Sequence, residues 1–353
     1  NRNLIINGAM QVAQRGTSTS FAHDGTTVAY PLDRFEVAHA NADELDFTVT
    51  QDSDAPDGFS NSLKVTTGTA ESSIASDEYV FMRQKIEGQN LQHLKYGTSA
   101  AVSTTVSFYI KSSQTGTFGI SMYSADGTRN IGTTYTINSA NTWEYKTVTF
   151  AGDTSGTINN DNGDALAVIW HLASGSDFDS ADNTSWGAYS NARWAFGHAQ
   201  DGVVTTASAT WQITGVQLEV GEQATPFEHR SYADELVRCQ RYFTYICSYS
   251  DNARVIGPAH YKSSTSVRAF AETPVVMRAR GSLKEQTSGG QTYRFNHTGG
   301  NENNDGSTAP TFDNDDQPQM TLVVGGYSGL SSTHIGVVKV EGSGKWLAVD
   351  AEL

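Results

Sequence analysis

Cysteine is nearly absent from this sequence, with Cys239 and Cys247 the only two in 353 residues. A disulfide-stapled scaffold carries more, so stability has to come from a packed core. Cys239 lies in the most helical stretch of the chain and reads as a buried apolar thiol. Basic residues are also scarce: 23 Lys and Arg stand against 38 Asp and Glu, for a formal net charge of -15. No run of Lys or Arg exists, and a phosphate backbone or an anionic lipid surface needs one. Nucleic acid and anionic membranes are therefore poor partners, whereas a neutral sugar or a protein meets no such repulsion. No apolar run approaches the about 20 residues of a membrane-spanning helix, and no signal peptide is visible, so membrane insertion is not expected.

Catalytic signatures are missing as well. There is no Gly-x-Ser-x-Gly elbow, no His-Glu-x-x-His and no phosphate-binding loop. His23, His171 and His198 have no recognisable partner spacing, His260 sits with Tyr261 on an alternating segment, and neither cysteine neighbours a basic motif. A glycosidase needs two carboxylates at a set separation, but among 38 acids some pair always qualifies, so the signal singles out none. The chain is expected not to be an enzyme.

What is abundant points to extended structure. Ser, Thr, Asn and the 33 glycines favour turns and strands over helix interiors. Alternation recurs: Val102, Thr104, Val106, Phe108 and Ile110 point one way, and Thr105, Ser107, Tyr109 and Lys111 the other. Phe118, Ile120 and Met122 repeat the pattern and run into the hairpin signal Asp126-Gly127. Leu45, Phe47 and Val49 form another such strand, as do Leu166, Val168, Trp170 and Leu172. Trp211 and Ile213 are out of phase with Val216, Leu218 and Val220, which predicts a β-bulge at Gly215. Trp143, Trp170 and Trp211 are expected in the core. Later strands are expected around Val255–Tyr261, Val275–Ala279, Met320–Val324 and Ile335–Val337, with residues 298–317 as a long polar loop.

The fold class expected is all-β: a jelly-roll sandwich, then a linking helix, then a second, smaller β-sandwich. The expected layout is an N-terminal strand or attachment segment (1–30), the jelly roll (31–230), the link (231–245, with a helix over Ser231–Phe243 capped by Ser231 and Asp234) and the C-terminal sandwich (246–353).

Two clusters stand out as candidate sites. Trp186, Tyr189 and Trp194 lie in a polar stretch with Asp182, Asn183 and Asn191. Aromatic rings stack on the C–H faces of sugars while amides and carboxylates bind hydroxyls; such rings also commonly cover the edge of a sandwich. Asp177, Asp179 and Asp182 are closely spaced oxygen donors suited to a structural Ca²⁺, although solvated turn residues have the same spacing. Asn301, Asn303, Asp305 and Gly306 imitate the start of a calcium loop, but Phe312 stands where the twelfth-position Glu belongs.

Several motifs occur in a telling order: Asn3-Leu4-Ile5-Ile6-Asn7-Gly8-Ala9-Met10-Gln11-Val12-Ala13-Gln14-Arg15-Gly16, then Asp33-Arg34-Phe35. Gly215-Val216-Gln217-Leu218-Glu219-Val220-Gly221, Ala224-Thr225-Pro226-Phe227-Glu228, Cys239-Gln240-Arg241-Tyr242-Phe243, Thr273-Pro274-Val275-Val276-Met277-Arg278-Ala279 and Asp350-Ala351-Glu352-Leu353 follow. This order resembles the tail-fibre and receptor-binding proteins of tailed phages, whose first domain is similar to carbohydrate-binding-module jelly rolls. The resemblance implies virion attachment through a host-surface glycan or receptor, contact with other tail or head proteins, a homotrimer, and assembly in the host cytoplasm. It implies no shared catalytic residues. A structural virion decoration or adaptor protein and a polysaccharide depolymerase stay open as alternatives, because fold does not decide function.

Overall fold

The computed structural model describes residues 2–23, 27–247, 253–285, 292–297, 305–306, 308–314, 319–341 and 346–353. It is nearly all β, in two units: residues 1–235 with Leu353, and residues 236–352.

In the first unit the described strands are β1 (Ser18–Phe21), β2 (Thr27–Leu32), β3 (Phe35–Ala40), β4 (Phe47–Asp52), β5 (Ser62–Thr67), β6 (Tyr79–Glu87), β7 (Thr104–Ser112), β8 (Gly116–Ser124), β9 (Arg129–Ile137), β10 (Glu144–Phe150), β11 (Asp164–Ser174), β12 (Gly187–Ala188) and β13 (Thr210–Val220). They form two antiparallel sheets, ordered β1-β4-β5-β13-β7-β10 and β12-β9-β8-β11-β6-β3-β2. Alternation explains how they face each other. Val106, Phe108 and Ile110 of β7 are fully buried, as are Phe118 and Met122 of β8, and Trp170 and Trp211. Phe108 meets Tyr135 at 5.2 Å and Trp170 at 5.8 Å, both edge-on. Each such side chain stabilises the sandwich by about 1.5–3 kcal/mol through burial. Trp143 differs from the expectation: it is only half-buried, because it lies just ahead of β10 on the sheet's outer face.

The bulge falls where the phase slip placed it. The pairing of β13 with β7 jumps from Thr214↔Tyr109 to Gln217↔Ser107, and Gly215 adopts φ +62°. Before the bulge β13 pairs with β5 through Thr210–Ile213. Beyond it the N-terminal residues take over that flank: Leu4 N–H donates to Leu218 O (3.0 Å) and Val216 N–H to Gly8 O (2.9 Å). The Asn3 side chain bridges the same gap, accepting from Leu218 N–H at 3.0 Å and donating to Val216 O at 3.1 Å. Ile5, Met10 and Val12 are fully buried. The described residues of the N-terminal stretch, expected as a strand or attachment segment, thus belong to the first unit, where Ile5, Met10 and Phe21 join its core.

A helix spans Tyr232–Gln240. Ser231 caps it, with its hydroxyl accepting from Asp234 N–H at 3.2 Å. It stops short of the expected Phe243, which instead opens a strand.

In the second unit the strands are β14 (Phe243–Cys247), β15 (Ala253–Ser263), β16 (Ser266–Glu272), β17 (Ser282–Glu285), β18 (Thr292–His297), β19 (Asp305–Gly306), β20 (Thr308–Asn314), β21 (Gln319–Gly325), β22 (Ile335–Glu341) and β23 (Leu347–Asp350). A three-stranded sheet, β14-β23-β17, and a seven-stranded one, β19-β18-β22-β15-β16-β21-β20, share one core that includes Val267, Leu322, Val338 and Val349. Three expectations are corrected here. Val275–Ala279 is not a strand: Pro274 turns the chain, and Thr273 Oγ1 closes that turn on Val275 O at 2.7 Å. Thr308–Asn314, read as loop, pairs with β21, the β-preferring Thr308, Thr311 and Phe312 outweighing the Asp and Asn around them. On β22 Ile335 is exposed and Val338 and Val340 are buried, the opposite phase to that expected. Asn301 and Asn303 lie outside the described residues.

Candidate binding cleft

The segment carrying the first sequence candidates lies on the outer face of the seven-stranded sheet. It packs there because its apolar side chains find an apolar patch. Trp194 is buried against Tyr79 (5.1 Å), Phe81 (4.9 Å) and His171 (5.2 Å). Asn183 is 1% exposed, and its amide donates to Arg193 O at 2.5 Å. Neither is available to a ligand at the surface. Trp186 is half-buried, donates to Ala151 O at 2.6 Å and meets Tyr96 edge-on at 5.7 Å, so it closes an end of the sandwich. Tyr189 packs on Tyr123 at 5.0 Å and its hydroxyl reaches Asn191 Oδ1 at 2.9 Å. Asp182 is exposed and caps Thr184 through N–H and hydroxyl, both at 2.8 Å. The six residues do not make one platform.

The calcium cluster is not assembled either. Among the described residues no three His, Cys, Asp or Glu side chains converge as metal ligands. Asp177 and Asp179 sit on a single helical turn, Ser176–Asp179, and Asp182 is committed to its own turn. The sequence spacing therefore reflects turn chemistry.

A better site lies on the outer face of the six-stranded sheet. Tyr145 of β10 stands opposite Tyr109 of β7, with ring centroids 4.9 Å apart at 49°. Next to Tyr109 comes Phe59 at 5.5 Å, and Phe59 in turn meets Phe227 at 5.0 Å and His229 at 5.3 Å. These rings, with Asp57, Ser107, Gly215, Ala224, Thr225 and Pro226, line an open cleft of about 480 Å³. The bulge shapes it. A Cβ at Gly215 would lie 2.7 Å from the Phe59 ring and 3.0 Å from Tyr109, so only glycine lets both rings close over the strand.

Buried polar groups hold the far wall. Glu219, on β13, accepts from Thr225 N–H at 3.0 Å and from Gln217 Nε2 at 2.7 Å, and Thr225 Oγ1 also donates to it. Glu228 N–H donates to Gln217 Oε1 at 2.8 Å. Burial opposes ionisation of Glu228, but the Asn3 and Arg2 amides and the Arg230 guanidinium outweigh it and hold the carboxyl below its usual range. On the same face of the sheet, outside the cleft lining, Asp54 accepts from Lys111 Nζ (2.7 Å), Trp143 Nε1 (3.2 Å) and Gln212 Nε2 (3.3 Å). The Lys111 hydrogen bond is the largest influence holding the Asp54 carboxyl below its ordinary value.

Sequence reasoning missed this cleft, though one signal was there. Tyr109 was already assigned to the polar phase of its strand, and Tyr145 shares a phase with Thr147 and Thr149. An aromatic on an otherwise polar strand face is one that a sandwich core does not need. Phe227 carries a second lesson: the Ala224-Thr225-Pro226-Phe227-Glu228 motif, quoted above only for its place in the order of motifs, puts a ring in the cleft.

No protein-family model matches the chain, and no curated protein matches it. Among solved structures, the enzymatically active domain of tailspike protein 4 from bacteriophage CBA120 is similar at 13% identity and a TM-score of 0.32, over 62% of this chain and 21% of that one. The match thus spans about a fifth of the tailspike structure. A family 11 carbohydrate-binding module from Clostridium thermocellum, in complex with a β-1,3-1,4-mixed-linked tetrasaccharide, is similar at 12% identity and a TM-score of 0.27, over 60% and 95%. The CBM22-1 xylan-binding domain of Paenibacillus barcinonensis Xyn10C follows at 10% identity and 0.24, over 58% and 95%. Likenesses at this level assign neither partner nor activity to the chain.

Proposed function

We propose that this chain is a virion attachment protein of a tailed phage, a tail fibre or spike, and that its first unit binds a host-surface glycan in the Tyr109–Tyr145 cleft. The observation that carries the reading is the cleft itself: four aromatic rings, Tyr109, Tyr145, Phe59 and Phe227, around an open space bordered by Ser107, Thr225 and Asp57. Sugar rings offer C–H faces to aromatics and hydroxyls to polar groups, and this lining supplies both. The order of sequence motifs supports the phage assignment. On this reading the protein is no enzyme. Among the described lining residues Asp57 is the only carboxylate, whereas glycoside hydrolysis needs a pair roughly 5–9.5 Å apart.

A single shallow sugar site gives millimolar-scale affinity, about 4 kcal/mol. Attachment then requires many copies, which a homotrimer on a particle provides through avidity. Adsorption of the purified protein to susceptible host cells tests the reading. The native chain is expected to be retained without releasing sugar fragments, and Tyr109→Ala/Tyr145→Ala is expected to wash off. Equal retention of the variant removes the cleft from the account, and reducing ends appearing in the supernatant make the protein a depolymerase.

A further inference from the structure

The ring-lined surface continues past Tyr145. Trp143 precedes it by two residues, so both side chains leave the strand on the same side, their bases roughly 7 Å apart. Glu144 pairs with Ile110 and Tyr145 with Tyr109, which sets Trp143 beside Lys111, whose ammonium lies 5.9 Å from the indole centroid. Lys111 is in register with Gln212, and Gln212 with Lys64. The outer face thus carries two adjacent cross-strand rows. One is Thr214, Tyr109, Tyr145; the other is Lys64, Gln212, Lys111, Trp143. Trp143 is half-buried and is anchored by its nitrogen on Asp54, so a ring is already held in place next to the cleft.

The charges in the second row are internally matched. Lys111 pairs with Asp54 at 2.7 Å and Lys64 with Asp52 at 3.1 Å. Both lysines are thereby neutralised, while Asp57 at the cleft mouth is exposed. A polyanion reaching across the rows finds its counter-charges already taken and meets a carboxylate. A neutral chain finds rings, amides and hydroxyls.

Resting on the glycan reading above, we propose that the cleft and the Trp143 row form one continuous platform for internal units of an uncharged glycan chain. Tyr109 and Tyr145 hold one unit, and Trp143, positioned by Asp54, holds a unit further along. The site is thus built for the body of a chain and not for a single terminal sugar.

Calorimetric titration of the full chain tests this, using neutral ladders of β-1,4-linked glucose and β-1,4-linked xylose, from single sugars to hexamers, and oligogalacturonates of matched length. Affinity is expected to rise about tenfold between monomer and trimer, the scale of one added ring contact, with oligogalacturonates weaker by a similar factor. Trp143→Ala is expected to lose the gain in affinity with chain length. Trp143→Phe, which keeps a ring, is expected to retain most of it, which separates a lost contact from a damaged fold. Affinity independent of length, a Trp143→Ala variant that binds trimers like the native chain, or galacturonates bound as tightly as neutral chains each overturns the platform. If Tyr109→Ala/Tyr145→Ala abolishes binding but length has no effect, the platform fails and the glycan reading stands. If chains still bind that double variant, or no neutral chain binds the native protein, both fail.

Discussion

Gly8 lies so close to Val216 that a methyl group on it would sit 2.1 Å from the Val216 carbonyl oxygen. The contact joins the start of the chain to the bulged half of β13, the strand that also supports the cleft. Asn7, at φ +61°, makes the turn that brings Gly8 there, and its side chain donates to Val12 O at 2.8 Å and Asp33 O at 3.0 Å.

Gly8→Ala is therefore expected to destabilise the first unit by about 1–3 kcal/mol, the range for forced overpacking. The urea midpoint measures it, and an unchanged midpoint would mean that the N-terminal residues do not occupy that flank of β13.

Gly215→Ala tests the bulge from the ligand side. The added methyl meets Phe59 and Tyr109, and alanine at φ +62° costs about 1–2 kcal/mol in the left-handed region. Glycan binding should fall more than stability does, since the two rings must separate. Calorimetry beside a melting curve distinguishes the two effects.

The strands facing the core were readable because their alternation is driven by burial on one side: β7, β8, β11 and β13, with its bulge, all follow from the pattern. The edges of that logic mark where reading failed. Trp143, expected inside, is half-buried, whereas Trp194, read either as a stacking ring or as cover for the sandwich, is buried as cover. An indole looks the same in sequence whether it faces a partner sheet, a covering segment or solvent. The cleft was missed because Phe59, Tyr109, Tyr145 and Phe227 come from separate stretches and meet only through cross-strand register. In the second unit the phase of β22 was misread because Ile335 and Val337 alternate as convincingly as Val338 and Val340.

The two tryptophans give a paired prediction. Trp194→Ala is expected to cost about 3–5 kcal/mol, as for other buried aromatics, with little effect on glycan affinity per folded molecule. Tyr145→Ala, at a side chain with 46% exposure, should change stability by about 0.5 kcal/mol or less and weaken binding up to about tenfold. Denaturation and titration on both variants check the contrast.

A buried histidine predicts acid sensitivity. His171 is fully buried, its Nε2 2.9 Å from Ser121 Oγ, and burial, aided by the nearby His198, holds its pKa well below 6.5. The unfolded chain takes up this proton near pH 6.5 and the folded one does not, so its effect is absent above that pH. Below pH 6.5 stability should fall, by at most about 1.4 kcal/mol per pH unit from this residue. Urea midpoints at pH 7.5 and pH 5.5 measure the slope, and His171→Gln should flatten it. An equal slope in that variant would assign the acid sensitivity to other groups.

The most direct measurement for the central claim is a crystal structure of the first unit's cleft occupied by a neutral oligosaccharide that the protein retains. The account predicts a sugar ring against Tyr109 and Tyr145, with an intact glycosidic bond running on toward Trp143. A sugar seated instead beside Tyr189 and Asn191, or one found cleaved between converging acids, would contradict it.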